Sequence, residues 1–224
     1  VIPELSYAEV SELAYFGAKV LHPRTIRPII ERGIPLWVKN TFRPFVEGTC
    51  IVRDPEQKLK PVKAVTLIKD LSMVTVEGRG MMGVPGIAAR TFGSVARQGA
   101  SVLMISQASS EQSISFIIPA DNCKEVIRSV EQEMELELER RDIDRVWAMK
   151  DIVIVTVVGA GMRQTPGIAA GVFQSLAGDG INVIAIAQGS SDFSLSLVVA
   201  AEDGADAVAS IHRGLFDSAV PEQG

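Results

Sequence analysis

The sequence predicts an α+β fold: two ferredoxin-like βαββαβ units in tandem, the first inserted into the second, preceded by a fragment of a different α/β domain. Three observations predict it. Sliding the 224-residue chain against itself by 81 positions aligns Met73-Val74-Thr75-Val76-Glu77-Gly78-Arg79-Gly80-Met81 with Ile154-Val155-Thr156-Val157-Val158-Gly159-Ala160-Gly161-Met162, and about 22 of the 47 positions from Met73 to Pro119 match identically. Within each copy, β-branched runs and helical periodicities follow the order β-α-β-β-α, which a fourth strand completes into a ferredoxin-like sandwich. Copy two has no such strand after Leu215, and a β-branched run, Val62–Ile68, stands unclaimed before copy one.

The elements follow in order. Ser6-Tyr7-Ala8-Glu9 is a capping-box pattern that opens a helix reaching Phe16 and ending at Gly17. Pro23 starts a second helix through about Glu31, stopped by Gly33. Leu36–Lys39 and Thr49–Val52 read as strands around the turn-prone Asn40–Gly48. Fewer than sixty residues of this kind cannot make a nucleotide-binding enzyme fold, so residues 1–58 are expected to be the trailing edge of a larger domain. Residues 59–70 supply the strand that completes the second unit, 71–150 form the first unit, 151–216 the second, and 217–224 a tail.

In the copies, Met73–Glu77 and Ile152–Val158 are first strands. Pro85 and Pro166 are expected at the first helical position, and Gly99 and Gly180 close those helices. Ser101–Ser106 and Ser113–Ile118, like Asn182–Ala187 and Ser194–Val199, are the next two strands. A second helix follows, capped by Asp121 in copy one and spanning about Ala205–Leu215 in copy two. Met134–Arg140 is expected as copy one's fourth strand, because Met134, Leu136 and Leu138 alternate with glutamates that would form a solvated face.

Composition narrows the chemistry. Hydrophobic residues make up 47% and charged residues 22%, ordinary for a globular chain, and the net charge of −5 leaves no basic field for nucleic acid. No apolar run reaches the roughly 18 residues a bilayer span requires, so no membrane partner is expected. Two cysteines, Cys50 and Cys123, make no disulfide framework, which places the chain in a reducing cytoplasm. The two histidines, His22 and His212, are far apart and support neither a metal centre nor a nucleophile's base.

Gly78-Arg79-Gly80-Met81-Met82-Gly83 fits the dinucleotide pattern G-x-G-x-x-G, but copy two has Gln164 where the third glycine stands, and the βαββαβ order is not a doubly wound sheet. It reads as a decoy. Two features suggest ligand binding instead. Gln107 and Gln188 are equivalent residues after an apolar strand, each followed by a serine-rich turn; their amides suit either a hydroxyl or amino-acid head group, or simply the tying of the hairpin. The loop before each first helix precedes free N–H groups that attract carboxylates. Thr165 can cap copy two's helix, whereas Val84 in copy one cannot, which predicts the tighter site in copy one.

Phe16-Gly17-Ala18-Lys19-Val20-Leu21-His22-Pro23-Arg24-Thr25, with Val38-Lys39-Asn40-Thr41 and Gly48-Thr49, resembles the end of an aspartate kinase catalytic domain, and the two copies resemble that family's tandem ACT regulatory domains. Gly80-Met81, Ile105-Ser106-Gln107 and Ile186-Ala187-Gln188-Gly189-Ser190-Ser191 are most similar to the threonine-sensitive type, including the bifunctional aspartokinase–homoserine dehydrogenases. The resemblance implies an end-product amino acid as effector and feedback inhibition of aspartate phosphorylation. It places the effector on Met81, Pro85, Gly86, Ile87, Ile105 and Gln107 of copy one and on Met162, Pro166, Gly167, Ile168, Asn182, Ile186 and Gln188 of copy two. It puts Lys19 near the nucleotide of the whole enzyme, which uses ATP and Mg, and leaves this segment without catalytic residues, metal or cofactor and inactive by itself. A neutral glutamine favours threonine over lysine, with Glu111 and Asp192 as the residues that could serve lysine. Expected partners are the free amino acid, the kinase domain and further copies of the chain through the ACT units; the competing reading is an ACT module that only assembles a dimer.

Overall fold

The computed structural model describes residues 1–18, 21, 23–55, 61–107, 112–162, 164–188 and 192–217, with only the backbone of 23–27 and 217. Lys19, His22, Glu111 and the serine-rich turns after both glutamines lie outside the described residues.

A three-stranded sheet of β1 (Glu4–Ser6), β3 (Thr49–Val52) and β2 (Leu36–Val38) carries the N-terminal segment with helices α1 (Tyr7–Tyr15) and α2 (Pro23–Arg32). The Ser6 hydroxyl accepts from the Glu9 backbone N–H at 3.1 Å while the Glu9 carboxylate accepts from the Ser6 N–H at 2.7 Å, so both halves of the capping box form.

The remainder builds one six-stranded antiparallel sheet in the order β5-β6-β4-β7-β9-β8. Its two central strands, β4 (Ala64–Glu77) and β7 (Arg145–Val158), are 14 residues each and run through both units. The first half of β4 pairs with the second half of β7, and the second half of β4 with the first half of β7. Ile68↔Ile154 becomes Met73↔Met149 when 81 is added to one partner and subtracted from the other, and Ala64↔Val158 becomes Glu77↔Arg145 in the same way, so the two strands meet about an internal pseudo-dyad. Near its centre the register shifts, and Asp70 and Asp151, again 81 apart, adopt left-handed φ of 59° and 53°. Short polar side chains are among the few that tolerate that region.

Copy one thus uses the second half of β4, α3 (Ile87–Arg97), β5 (Met104–Gln107), β6 (Ser113–Pro119) and α4 (Cys123–Glu133), and takes Arg145–Met149 of β7 as its fourth strand. Copy two uses the second half of β7, α6 (Ile168–Gly178), β8 (Ala185–Ala187), β9 (Ser194–Ala200) and α7 (Gly204–His212), and its fourth strand is Ala64–Ile68. Copy one is therefore inserted into the chain path of copy two. Met134–Arg140 is not a strand. Glu135–Arg140 forms helix α5, with Met134 and Leu138 turned to the core, Leu136 exposed, and Glu133 and Glu137 both reaching Arg90 on α3.

Each unit has its own core between sheet and helices. Val74, Ile114 and Phe116 meet α3 and α4 in copy one, and Val155, Leu195 and Leu197 meet α6 and α7 in copy two. Hydrogen bonds repeat as well: Thr75 with Ser115 and Thr156 with Ser196, both at 2.9 Å. A third cluster, with Leu71, Met73, Met104, Ile117, Ile154 and Val198, fills the opposite face of the sheet, where β5 and β8 approach one another, and Phe16 from the end of α1 is seated in it. Both cysteines are free and buried, and no described helix is long and apolar enough to cross a membrane.

Candidate functional site

The loop after each first strand is fixed by close approach to the segment entering a neighbouring strand. A Cβ on Gly78 would lie 2.3 Å from the Asp142 carbonyl oxygen, and one on Gly159 only 1.7 Å from the Pro61 carbonyl oxygen. These are again equivalent positions. The first two glycines of the apparent dinucleotide motif therefore serve chain packing, with Gly80 held against Asp142 in the same way as Gly78. Asp144 ties the loop further through its backbone N–H to the Glu77 carbonyl at 2.8 Å and an exposed ion pair to Arg79 at 3.9 Å.

The helices begin two residues later than the prolines suggest. Gly86 and Gly167 are the N-caps, in left-handed conformation at φ 91° and 92°, and neither helix has a side-chain cap. The Thr165 hydroxyl donates to the Gly161 carbonyl at 3.0 Å and does not cap α6. The capping contrast that predicted a tighter site in copy one is thus missing: both helices present uncapped first-turn N–H groups.

In copy one this loop, the start of α3 and the end of β5 enclose a crevice of about 330 Å³ lined by Met81, Gly83, Val84, Pro85, Gly86, Ile87, Ala88, Gln107 and Ile114. Five of the residues expected at the effector site, Met81, Pro85, Gly86, Ile87 and Gln107, therefore meet in one cavity. Met81 and Ile87 are buried anchors, while Gln107 is exposed at its mouth. Among the described residues, no lining side chain is charged. Ile105 does not line this crevice; it borders a second cleft described below.

In copy two Met162 and Ile168 are buried as their counterparts are, and Pro166, Gly167, Asn182, Ile186 and Gln188 are exposed. The Asp192 carbonyl accepts from the Met162 N–H at 3.0 Å.

Behind the copy-one crevice, α3 is clamped to the α4–α5 arm. Arg90 donates from Nε to Glu133 at 3.2 Å and from Nη2 to Glu137 at 3.1 Å, and Arg97 donates to Glu133 at 2.5 Å. Hydrogen bonds from Arg90, and then Arg97, hold the Glu133 carboxyl below its ordinary value, and Arg90 does the same for Glu137. Arg90 is raised, chiefly by Glu137. The sequence reading missed this clamp because it placed the glutamates on a solvated strand; their spacing of four, matched to arginines on α3, was the available signal.

Residues 74–134 and 155–215 each match the family model described as ACT domain. The chain is 42% identical over 218 residues to the bifunctional aspartokinase/homoserine dehydrogenase of Haemophilus influenzae, covering 97% of this chain and 27% of that protein. Among solved structures it is similar to Clostridium acetobutylicum aspartate kinase, with a TM-score of 0.86 at 28% identity, covering 96% of this chain and 49% of the other. It is also similar to E. coli aspartokinase III in complex with lysine and aspartate, with a TM-score of 0.74 at 28% identity, covering 96% and 46%. The chain thus spans about a quarter of the length of the curated relative it matches.

Proposed function

The chain belongs to the ACT-domain family, as the tandem pair found in aspartate kinases, and from that premise we propose that it is the feedback sensor of such a kinase, binding an end-product amino acid, threonine ahead of lysine. The observation that carries the reading is the meeting of Gln107 and an uncapped helix start in one crevice whose described lining has no charged side chain.

The amino acid's carboxylate takes the first-turn N–H groups of α3, where the helix dipole also favours an anion. The Gln107 amide, able to donate and accept, takes the side-chain hydroxyl. Met81, Ile87 and Ile114 supply an apolar wall for the methyl group. Lysine would bring an ammonium that none of the described lining residues neutralises, and an unpaired charge is costly to desolvate. E. coli aspartokinase III is solved with lysine; the neutral lining here supports the other effector. Gln188, with Met162, Pro166, Gly167 and Ile168, forms the equivalent site of copy two.

Binding inhibits only through higher affinity for the low-activity arrangement, with a typical coupling of about 1–3 kcal/mol. The parent enzyme phosphorylates L-aspartate with ATP and Mg, and the likeness to bifunctional relatives supports a homoserine dehydrogenase on the same polypeptide. The free outer edges of β5 and β8 suit side-by-side assembly of two copies.

Titration calorimetry with threonine, lysine and methionine tests the reading. Threonine gives saturable heat, and Gln107→Ala weakens it roughly 2–12-fold, the value of one neutral hydrogen bond of about 0.5–1.5 kcal/mol, without lowering the melting temperature. Heat with lysine alone overturns the effector choice. No heat with any of the three on a folded dimer leaves the module with assembly as its role.

A further inference from the structure

A second cleft, of about 380 Å³, opens where three parts of the chain converge. Glu12, Tyr15 and Phe16 on and just after α1 form one side, Met104 and Ile105 of β5 another, and Ala187 at the end of β8 with Ser194 and Ser196 of β9 the third. We propose that this cleft is a ligand site in its own right, for a molecule with a compact apolar body and one hydrogen-bond-donating head, of about the size of indole.

Its lining gives the class. Phe16 and Met104 are buried members of the cluster between the two units, and they offer a rigid apolar floor. Ile105 is 51% exposed on the outermost strand of copy one, so a large aliphatic residue stands in solvent at the rim of a concave surface. Burying it against an occupant is favourable at about 25 cal/mol per Å². The polar groups are few: the half-buried Glu12 carboxylate on α1 and the Ser194 and Ser196 hydroxyls on β9, all of which can accept from a donor head. Ser194 and Ser196 are 9% and 5% exposed, and the Ser196 hydroxyl, already paired with Thr156 at 2.9 Å, keeps acceptor capacity for a ligand donor. A mostly apolar cleft of this volume at a junction between structural units, with a small number of convergent polar groups, is the usual form of a small-molecule site.

Position separates this cleft from the effector crevice. The two share no lining residue, and the crevice lies within copy one, whereas the cleft is walled by α1 and both copies. An occupant here touches the N-terminal segment directly. The inference does not depend on threonine being the effector.

Indole titrated into the whole chain carrying ¹³C-methyl methionine, isoleucine and alanine tests it. Saturable shifts are expected at Met104, Ile105 and Ala187, with Met81 and Ile87 unmoved. Ala187→Leu, which fills the cleft from one wall, is expected to weaken indole at least tenfold while leaving threonine heats unchanged. Shifts that rise linearly without saturating, or that appear equally at Met81 and Ile87, overturn the proposal, as does undiminished affinity in folded Ala187→Leu. The mapping on the unsubstituted chain decides the matter even if that variant fails to fold.

Discussion

Replacing Gly159 with alanine isolates what the glycine loops do. The new methyl would sit 1.7 Å from the Pro61 carbonyl oxygen and 2.8 Å from the Val62 Cα, all backbone. An ordinary C···O contact is about 3.3–3.6 Å, so the two segments must part by more than an ångström. The Lys63 N–H to Val158 carbonyl bond, 2.8 Å at the same junction, lies directly in that path. Overpacking of about 1–3 kcal/mol, together with a weakened buried backbone bond of about 1–3 kcal/mol, gives a loss of about 3 kcal/mol. For a chain of this size that lowers the melting temperature by about 6–12 °C. Gly83→Ala is the control: φ there is +72° but nothing lies within 4 Å, so only dihedral strain of about 1 kcal/mol applies, a fall of about 2–4 °C. Thermal unfolding followed by circular dichroism reads both. If Gly159→Ala melts within 2 °C of the parent, or Gly83→Ala is the more damaging, the close-approach account of the motif is wrong.

Two further outcomes follow from the same coordinates. Glu133 and Glu137 hold protons less tightly folded than unfolded, so their contribution is complete above the ordinary glutamate value of about 4.3 and is lost as pH falls below it; the stability gap between the parent and Arg90→Met, measured by denaturant midpoint, should stay constant from pH 7 to 5 and narrow below about pH 4. Phe116, fully buried and edge-to-face with Phe92 at 5.6 Å, should cost about 3–5 kcal/mol on replacement by alanine, read as a lowered urea midpoint at unchanged slope.

The repeat made most of the fold legible. A shift of 81 residues aligned the copies, and the missing strand after Leu215 pointed to Val62–Ile68 as its substitute. The same shift carries Val62–Ile68 onto Ile143–Met149, which is where copy one's own fourth strand lies; the alternation in Met134–Arg140 drew attention away from it. Alternation over seven residues satisfies spacing of four as well as spacing of two, and glutamate, leucine and methionine are helix formers, so composition favoured α5 where pattern favoured a strand. At the site, chemistry-bearing residues close in sequence to the glycine loop were legible, because loop and helix start are contiguous. Ile105 was not, because its cleft is made by segments about ninety residues apart on either side, and nothing local records that meeting.

The strands that traverse both units have a consequence for any shortened gene product. A polypeptide carrying one repeat would have three strands and half of a symmetric seam, with the complementary half on an identical molecule. Such a product should recover its missing strand only by exchange with a twin, so it would be found as an intertwined pair. The part of this chain from β4 onward is that pair with its ends joined.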